Sequence, residues 1–262
     1  MTTDNQYPLI VDLDGTLIRS DLLIELLMLL LRSNPLYVIL VVVWLLDGKA
    51  RLKSEIARRV DLPVEWLPYN LELLEYLRSQ KRQGRQIVLA TASHVRYARS
   101  IARHLRVFDD VLASDEACNL SGSAKRTALT QRYGDKQYVY AGNAPVDLDV
   151  WAHCHQAIVV ASARLAQRVA AICTVELQLS PARTRVKSFI RALRVHQWVK
   201  NALILVPVLT AHLALSPPAL LSAALAFLAF SFCASSVYFL NDLLDLNDDR
   251  RHATKKHRPF AA

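Results

Sequence analysis

No closely spaced cysteine pair occurs in the sequence: Cys118, Cys154, Cys173 and Cys233 stand far apart. A disulfide scaffold and a paired-thiolate metal site both lack a framework, and reduced thiols in a cytosolic setting are expected. His153-Cys154-His155 has no partner cluster, so ordinary packing at a helix end is expected there. The first residues, Met1 to Tyr7, carry no basic residue before an apolar run, so no signal peptide is expected and the start of the chain is expected in the cytoplasm. Acidic residues are scarce relative to basic ones, 23 against 32, for a formal net charge of +9. That balance calls for anionic partners such as lipid headgroups or phosphorylated substrates. Nucleic acid is not expected, because no recognition motif or aromatic-interleaved basic stripe accompanies the charge. Charge is missing altogether from Ala202 to Leu240. With 53% hydrophobic residues and a mean hydropathy of +0.18, a membrane part is expected.

What is present first is an α/β alternation. Short apolar, β-branched runs at Pro8–Asp12, Gln86–Ala90, Val111–Ala113, Tyr138–Ala141 and Ala157–Val160 alternate with helical patterns at Ser93–Leu105, Ser123–Tyr133 and Ser162–Ala171. This predicts a doubly wound parallel sheet over residues 1–178. Between the first two strands, about residues 20–85 carry no strand signal and read as an all-helical cap. Lys49–Val60 and Val64–Gln83 are amphipathic, the latter ending at Gly84. Leu22–Leu31 and Leu36–Leu46 are far more apolar but shorter than the roughly 20 residues that span a bilayer. They read either as buried cap helices or as a hairpin that lies in the membrane interface or packs on later spans.

Chemistry-bearing residues fall at the strand ends: Asp12-x-Asp14-Gly15-Thr16, then Thr91, then Lys125 near a helix start, then Gly142-Asn143 with Asp147. Loops at the carboxyl ends of parallel strands are where such sheets bind ligands. That order resembles the four motifs of the haloacid dehalogenase superfamily over residues 8–160, including a helical cap between the first and second motif. The resemblance implies Asp12 as the nucleophile that forms an aspartyl-phosphate and Asp14 as the acid that protonates the leaving oxygen. Thr91 and Lys125 would hold the phosphoryl group, and Mg²⁺ would be bound by Asp12, Asp147 and a backbone carbonyl, with Asp14 and Asn143 around it. Asn143 departs from the family pattern, which usually has Gly-Asp there; the lost negative charge implies weaker Mg²⁺ binding.

The C-terminal part has a different character. Periodicity breaks at Ser180-Pro181, and residues 179–200 form a basic amphipathic linker containing Arg183, Arg185, Lys187, Arg191, Arg194 and Lys200, with Trp198 suited to the headgroup layer. Ser216-Pro217-Pro218 divides the uncharged run into two predicted spans, a transmembrane α-helical hairpin within residues 201–262. Basic residues flank both outer ends, which places those ends in the cytoplasm. Directly after the second span, Asp242, Asp245 and Asp249 fall within about 60° of one another on an ideal helix, while Asp248 points elsewhere. Three such carboxylates suit Mg²⁺ and a substrate phosphate, with Arg251, His252, Lys255 and Arg258 to hold phosphate oxygens. Solvated stop-transfer charge is the competing reading.

The pattern N-D-x-x-D-x-x-x-D from Asn241 onward, followed by R-x-H-x-x-K-x-x-R-P, resembles the first aspartate-rich motif of the UbiA-type intramembrane prenyltransferases. Arg191–Asn201 is similar to the entry of the branch that transfers phosphoribose to decaprenyl phosphate. The resemblance implies Mg²⁺ at Asp242, Asp245 and Asp249. It also implies substrate contacts from Lys200, Asn241, His252, Lys255 and Arg258, a polyprenyl phosphate acceptor, and a phosphoribosyl or prenyl diphosphate donor. Ala253 stands where that family has proline. The family's larger helical bundle and second aspartate motif do not follow in this sequence, so a truncated member, itself inactive as a transferase, is expected. The rival functions are a membrane-tethered phosphatase and a catalytically weak first domain that docks or regulates.

Overall fold

The computed structural model describes residues 7–115, 119–180, 193–213 and 215–251. Two compact units divide the chain, residues 1–182 and residues 183–262. In the first, six strands form one parallel sheet: β1 (Leu9–Val11), β2 (Ile87–His94), β3 (Asp110–Ser114), β4 (Val139–Gly142), β5 (Gln156–Val160) and β6 (Thr174–Leu179), in the order β3-β2-β1-β4-β5-β6. β1 is central because it is the most apolar: all three of its residues are fully buried, Leu9 and Val11 on one face and Ile10 on the other. The chain runs outward from β1 to β2 and β3 and then returns across it to β4, so the C-terminal end of β1 is the point where the winding reverses. Crevices at such points are where parallel sheets take ligands.

Helices α5 (Val95–Leu105), α6 (Ser123–Tyr133), α7 (Leu148–Trp151) and α8 (Ala163–Ala170) connect the later strands. The cap consists of α1 (Leu22–Ser33), α2 (Tyr37–Leu46), α3 (Lys49–Ala57) and α4 (Leu71–Arg82). Asp21 caps α1, accepting a hydrogen bond from the Ile24 amide at 3.2 Å. The single helix expected over Val64–Gln83 is instead a 3₁₀ turn, Val64–Trp66, followed by α4. Pro68 lies between them and cannot continue a helix, and Asn70 restarts one by capping Leu73. β6 extends beyond the expected strands; as an edge strand it alternates exposed and half-buried residues, a weaker signal than the continuous apolar runs of the interior.

The expectation of two buried apolar cap helices holds for α1, which buries Leu22, Leu26 and Leu30, but not for α2. Trp44 is the buried residue of α2, and most of its aliphatic side chains face outward.

In the second unit, the helix Pro217–Leu244 has 28 residues and is long and apolar enough to cross a membrane. It is the one such helix among the described residues, so the hairpin of two spans is not what the structure contains. Val195–Leu205 is 3₁₀ and Val206–Thr210 is a short α-helix. Pro207 accounts for the change: it begins a new helix, with no N–H to extend an earlier one.

Candidate functional site

Asp12 follows β1, and its backbone N–H is fixed by Ala141 O of β4 at 3.0 Å. The next turn is tight. Gly15 has φ +76°, and a Cβ there would lie 2.0 Å from Asn143 Nδ2, so both the backbone conformation and the close approach of Asn143 require glycine. Lys125, near the start of α6, donates to Asp12 Oδ1 at 2.6 Å and to the Tyr140 hydroxyl at 3.2 Å. Tyr140 in turn donates to Asp147 Oδ1 at 2.9 Å. These four buried side chains form one network.

Asp14 lies beside it. Its Oδ1 accepts from the Leu22 amide at 2.8 Å and its Oδ2 from the Ser93 hydroxyl at 2.9 Å, tying the first cap helix and the end of β2 to the same carboxylate. Thr91 is fully buried, and its hydroxyl accepts from the Ser93 amide at 2.9 Å. Thr16 donates toward Asn143 Oδ1 at 3.2 Å and lies 3.5 Å from Asp12 Oδ2, which brings an amide oxygen and a carboxylate oxygen around one hydroxyl.

Burial dominates the electrostatics. It pushes the Asp12 carboxyl up to about 7 against the lowering effect of Lys125, while Asp147 and Asp14 push it further up. Asp14 is also raised, by burial first. For Lys125, burial favours the neutral amine, but Asp12, Asp147 and Asp14 outweigh it and hold the ammonium above its usual value. Both partners therefore shift upward: Lys125 is held charged, and burial holds the Asp12 carboxyl toward its neutral form.

One ammonium faces three carboxylates, those of Asp12 and Asp147 buried and that of Asp14 half-buried, an excess of negative charge that a divalent cation would relieve. The donors also fit, since Asp12 and Asn143 offer hard oxygens. Asp147 faces the same loop: Oδ2 accepts from the Asn143 and Ala144 amides at 3.1 and 3.0 Å, and Oδ1 accepts from Tyr140. Asp147 therefore shapes the loop that carries Asn143, and Asp14 likewise directs both oxygens to protein donors. Among the described residues, no three His, Cys, Asp or Glu side chains form a ready-made metal group.

Three contributors were not singled out from sequence. Tyr140 falls within the predicted strand Tyr138–Ala141, and Ser93 at the start of the predicted helix Ser93–Leu105. Lys53 of α3 is half-buried and reaches Ala92 O at 2.5 Å and Asn119 Oδ1 at 2.9 Å, joining cap to core; burial lowers its pKa, opposed by Asp14. A small cleft lies there between Leu23, Leu26, Lys53, Ile56, Ser93 and His94. A lone cap lysine carries no sequence signal, because only the fold brings it to Asp14.

In the second unit the aspartates do not form an open triad. Arg194 donates to both oxygens of Asp242, at 2.7 and 2.9 Å, and its guanidinium lies 4.9 Å from the Tyr238 ring. The long helix ends at Leu244, with Asp245 as its C-cap, and Asp249 lies in the short helix Leu246–Arg251. Asp242 and Asp249 are buried and Asp245 is half-exposed. The expectation of a common face open to a cation is corrected for Asp242, because a separation of 48 residues hid its arginine partner from helical spacing alone. Trp198 donates to Ser235 and Asn201 to Ser231, both at 3.0 Å, fixing the 3₁₀ segment along the long helix. Lys200 and Asn241 are exposed. His252, Lys255 and Arg258 lie outside the described residues.

A family profile for haloacid dehalogenase-like hydrolases matches residues 9–152, and the chain belongs to that family. It is 35% identical over 261 residues, 99% of its length, to the uncharacterized protein y4nM of Sinorhizobium fredii, of which it covers 50%. It is 40% identical over 84 residues to a decaprenyl-phosphate phosphoribosyltransferase of Corynebacterium glutamicum, which is 31% of this chain and 25% of that protein. The chain thus spans half or less of the length of these curated relatives. A HAD family hydrolase from Salmonella enterica serovar Typhi superposes with a TM-score of 0.48 at 14% identity, covering 66% of this chain and 68% of that one.

Proposed function

We propose that the first unit hydrolyses phosphomonoesters through Asp12. The observation that carries this reading is the buried Asp12–Lys125 pair, 2.6 Å apart at the switch point of the sheet, with Asp14 alongside. Asp12 attacks phosphorus, the bond to the leaving oxygen breaks, and Asp14 supplies the proton which that oxygen needs. Water then cleaves the aspartyl-phosphate and returns its proton to Asp14. Lys125 neutralises the transferring group, and Tyr140 and Asp147 hold Lys125 and the Asn143 loop in place. Asp12 and Asn143 would hold Mg²⁺, which when bound would supply further neutralisation of phosphoryl charge. The test is hydrolysis of p-nitrophenyl phosphate with Mg²⁺. Turnover should disappear in Asp12→Asn, and turnover that persists in the variant would remove the mechanism.

A second activity is favoured by the aspartate motif and by the stretch similar to decaprenyl-phosphate phosphoribosyltransferases. In it, residues 183–262 begin a UbiA-type transferase, multi-pass in the intact protein. Its acceptor is a polyprenyl phosphate and its donor a phosphoribosyl or prenyl diphosphate. Asp242, Asp245 and Asp249 bind the diphosphate with Mg²⁺, and Asn241, Lys200, His252, Lys255 and Arg258 grip its oxygens. For Asp242 to serve there, its pair with Arg194 would have to open. The helix Pro217–Leu244 crosses the membrane, with the basic flanks and the first unit on the cytoplasmic side. The hydrolase domain would act on a phosphorylated lipid of the same pathway or regulate the transferase. Titration of detergent-solubilised chain with Mg²⁺ and phosphoribosyl diphosphate tests this. Binding should be weak and should vanish in Asp242→Asn, and identical binding by the variant would leave the aspartates as a stop-transfer flank.

A further inference from the structure

The outward side of α2 stands apart from the rest of the first unit. Over its ten residues the inner side is anchored by Trp44, buried beneath the Arg59 guanidinium at 4.8 Å, with Tyr37 and Val41 half-buried beside it. Seven of the other residues are Val, Ile or Leu with exposures from 42% to 83%, and Leu36 ahead of them is 69% exposed. Monomeric soluble domains seldom present so continuous an apolar surface, and such patches mark interaction sites. At 1.5 Å per residue α2 is about 15 Å long, half the hydrocarbon thickness of a bilayer, so it can lie in an interface but not span it.

Its surroundings select among partners. Asp47 is the sole acidic residue from Leu36 to Arg51, and Lys49 and Arg51 follow α2 directly. Arg51 of α3, and Arg58 and Arg59 just after it, all pair with the single buried carboxylate of Glu55, at 3.3, 3.1 and 2.5 Å, and all three arginines are exposed. An apolar helix beside exposed cations is complementary to an anionic lipid surface, where the side chains enter the acyl boundary and the cations meet the headgroups. The same chain carries the span-length helix Pro217–Leu244.

We propose that α2 docks the cap of the hydrolase domain onto the bilayer, lying in the interface with Ile39, Val42 and Leu46 facing lipid. The proposal rests on the membrane-spanning reading of Pro217–Leu244 only for bringing the domain to a bilayer. The full chain, carrying Val42→p-benzoylphenylalanine or, at an exposed polar position of α4, Glu72→p-benzoylphenylalanine, is reconstituted into vesicles of phosphatidylcholine and phosphatidylglycerol. It is floated, irradiated and read by mass spectrometry. Lipid adducts at residue 42 should exceed those at residue 72 by about tenfold, as expected of a side chain in the acyl boundary. Cross-links from residue 42 to a second copy or to another part of the chain, or adduct yields equal at the two positions, would overturn it. A chain that does not float overturns the proposal and the spanning helix together, whereas a floating chain without adducts at residue 42 overturns the docking alone.

Discussion

Asp12 faces two opposed demands, because a nucleophile must be ionised while burial resists ionisation. Lys125 meets part of that demand. With Lys125→Met, the carboxylates lose their one bonded cation, and breaking a buried pair typically costs about 3–5 kcal/mol. Hydrolysis of p-nitrophenyl phosphate should fall at least a hundredfold, roughly the contribution of one positioned charge donor, and urea unfolding should report the lost stability. The sign of the pH dependence follows from the raised carboxyls. The folded pKa of Asp12 lies above the unfolded value of 3.8, so the stabilisation it contributes is complete below about pH 4 and is lost as pH rises through about 7. In chelator-treated protein the melting temperature should therefore fall by roughly 5 °C between pH 5 and pH 8. Mg²⁺ should recover it at pH 8 by replacing the proton, and a melting temperature that rises over that interval would contradict the assignment. Asn143→Asp adds a carboxylate close to Thr16 and Gly15. It should lower the Mg²⁺ concentration for half-maximal turnover about tenfold, the change in ligand charge being what sets affinity in such sites.

At the scale of elements, Arg85 closes the sheet at the opposite end from the site. It is buried just before β2, donates to Tyr7 O at 3.0 Å and Gln80 Oε1 at 2.9 Å, and pairs with Glu176 of β6 at 3.1 Å. Replacing it by Met keeps the apolar stem but strands these acceptors. A loss of about 2–3 kcal/mol is expected by urea denaturation, and little change in the site would show as an unaltered KM for p-nitrophenyl phosphate. No sequence pattern linked Arg85 to Glu176, because the contact joins residues 91 apart. Elements set by local chemistry were legible: the interior strands as continuous apolar runs, α6 from Ser123 to Tyr133, and the cap as a segment without strand signal. The placement of Asp12 and Asp14 just after β1 and of Lys125 in the first turn of α6 was legible too, whereas β2 runs past Thr91 to His94. Tertiary convergence was not. Tyr140 bridging Lys125 and Asp147, Lys53 descending from the cap, and Arg194 covering Asp242 all depend on approaches that no periodicity encodes. Pro68 and Pro207 were visible in the sequence, yet their breaking of the predicted helices outweighed the hydrophobic patterns around them.

At the scale of the whole chain, two attachments of unequal strength bear on the membrane. The helix Pro217–Leu244 could bury 28 residues of backbone with all internal hydrogen bonds made, which suits stable insertion. α2 offers only ten residues and one outward side, and a single interfacial helix gives reversible binding. The basic residues beside α2, Lys49, Arg51, Arg58 and Arg59, strengthen the latter at low ionic strength and lose their effect when salt shortens the screening length. The two can be separated by extraction. In membranes from expressing cells, the full chain should remain in the pellet after alkaline carbonate. Residues 1–182, which include the sheet and the cap but not the long helix, should be released by carbonate and substantially by about 1 M salt, where the screening length is near 3 Å. Val42→Asp in that shorter chain should release it even at low salt. Carbonate release of the full chain would mean that Pro217–Leu244 is not inserted, and tight retention of the Val42→Asp form of residues 1–182 would mean that something other than α2 holds the hydrolase domain to the membrane.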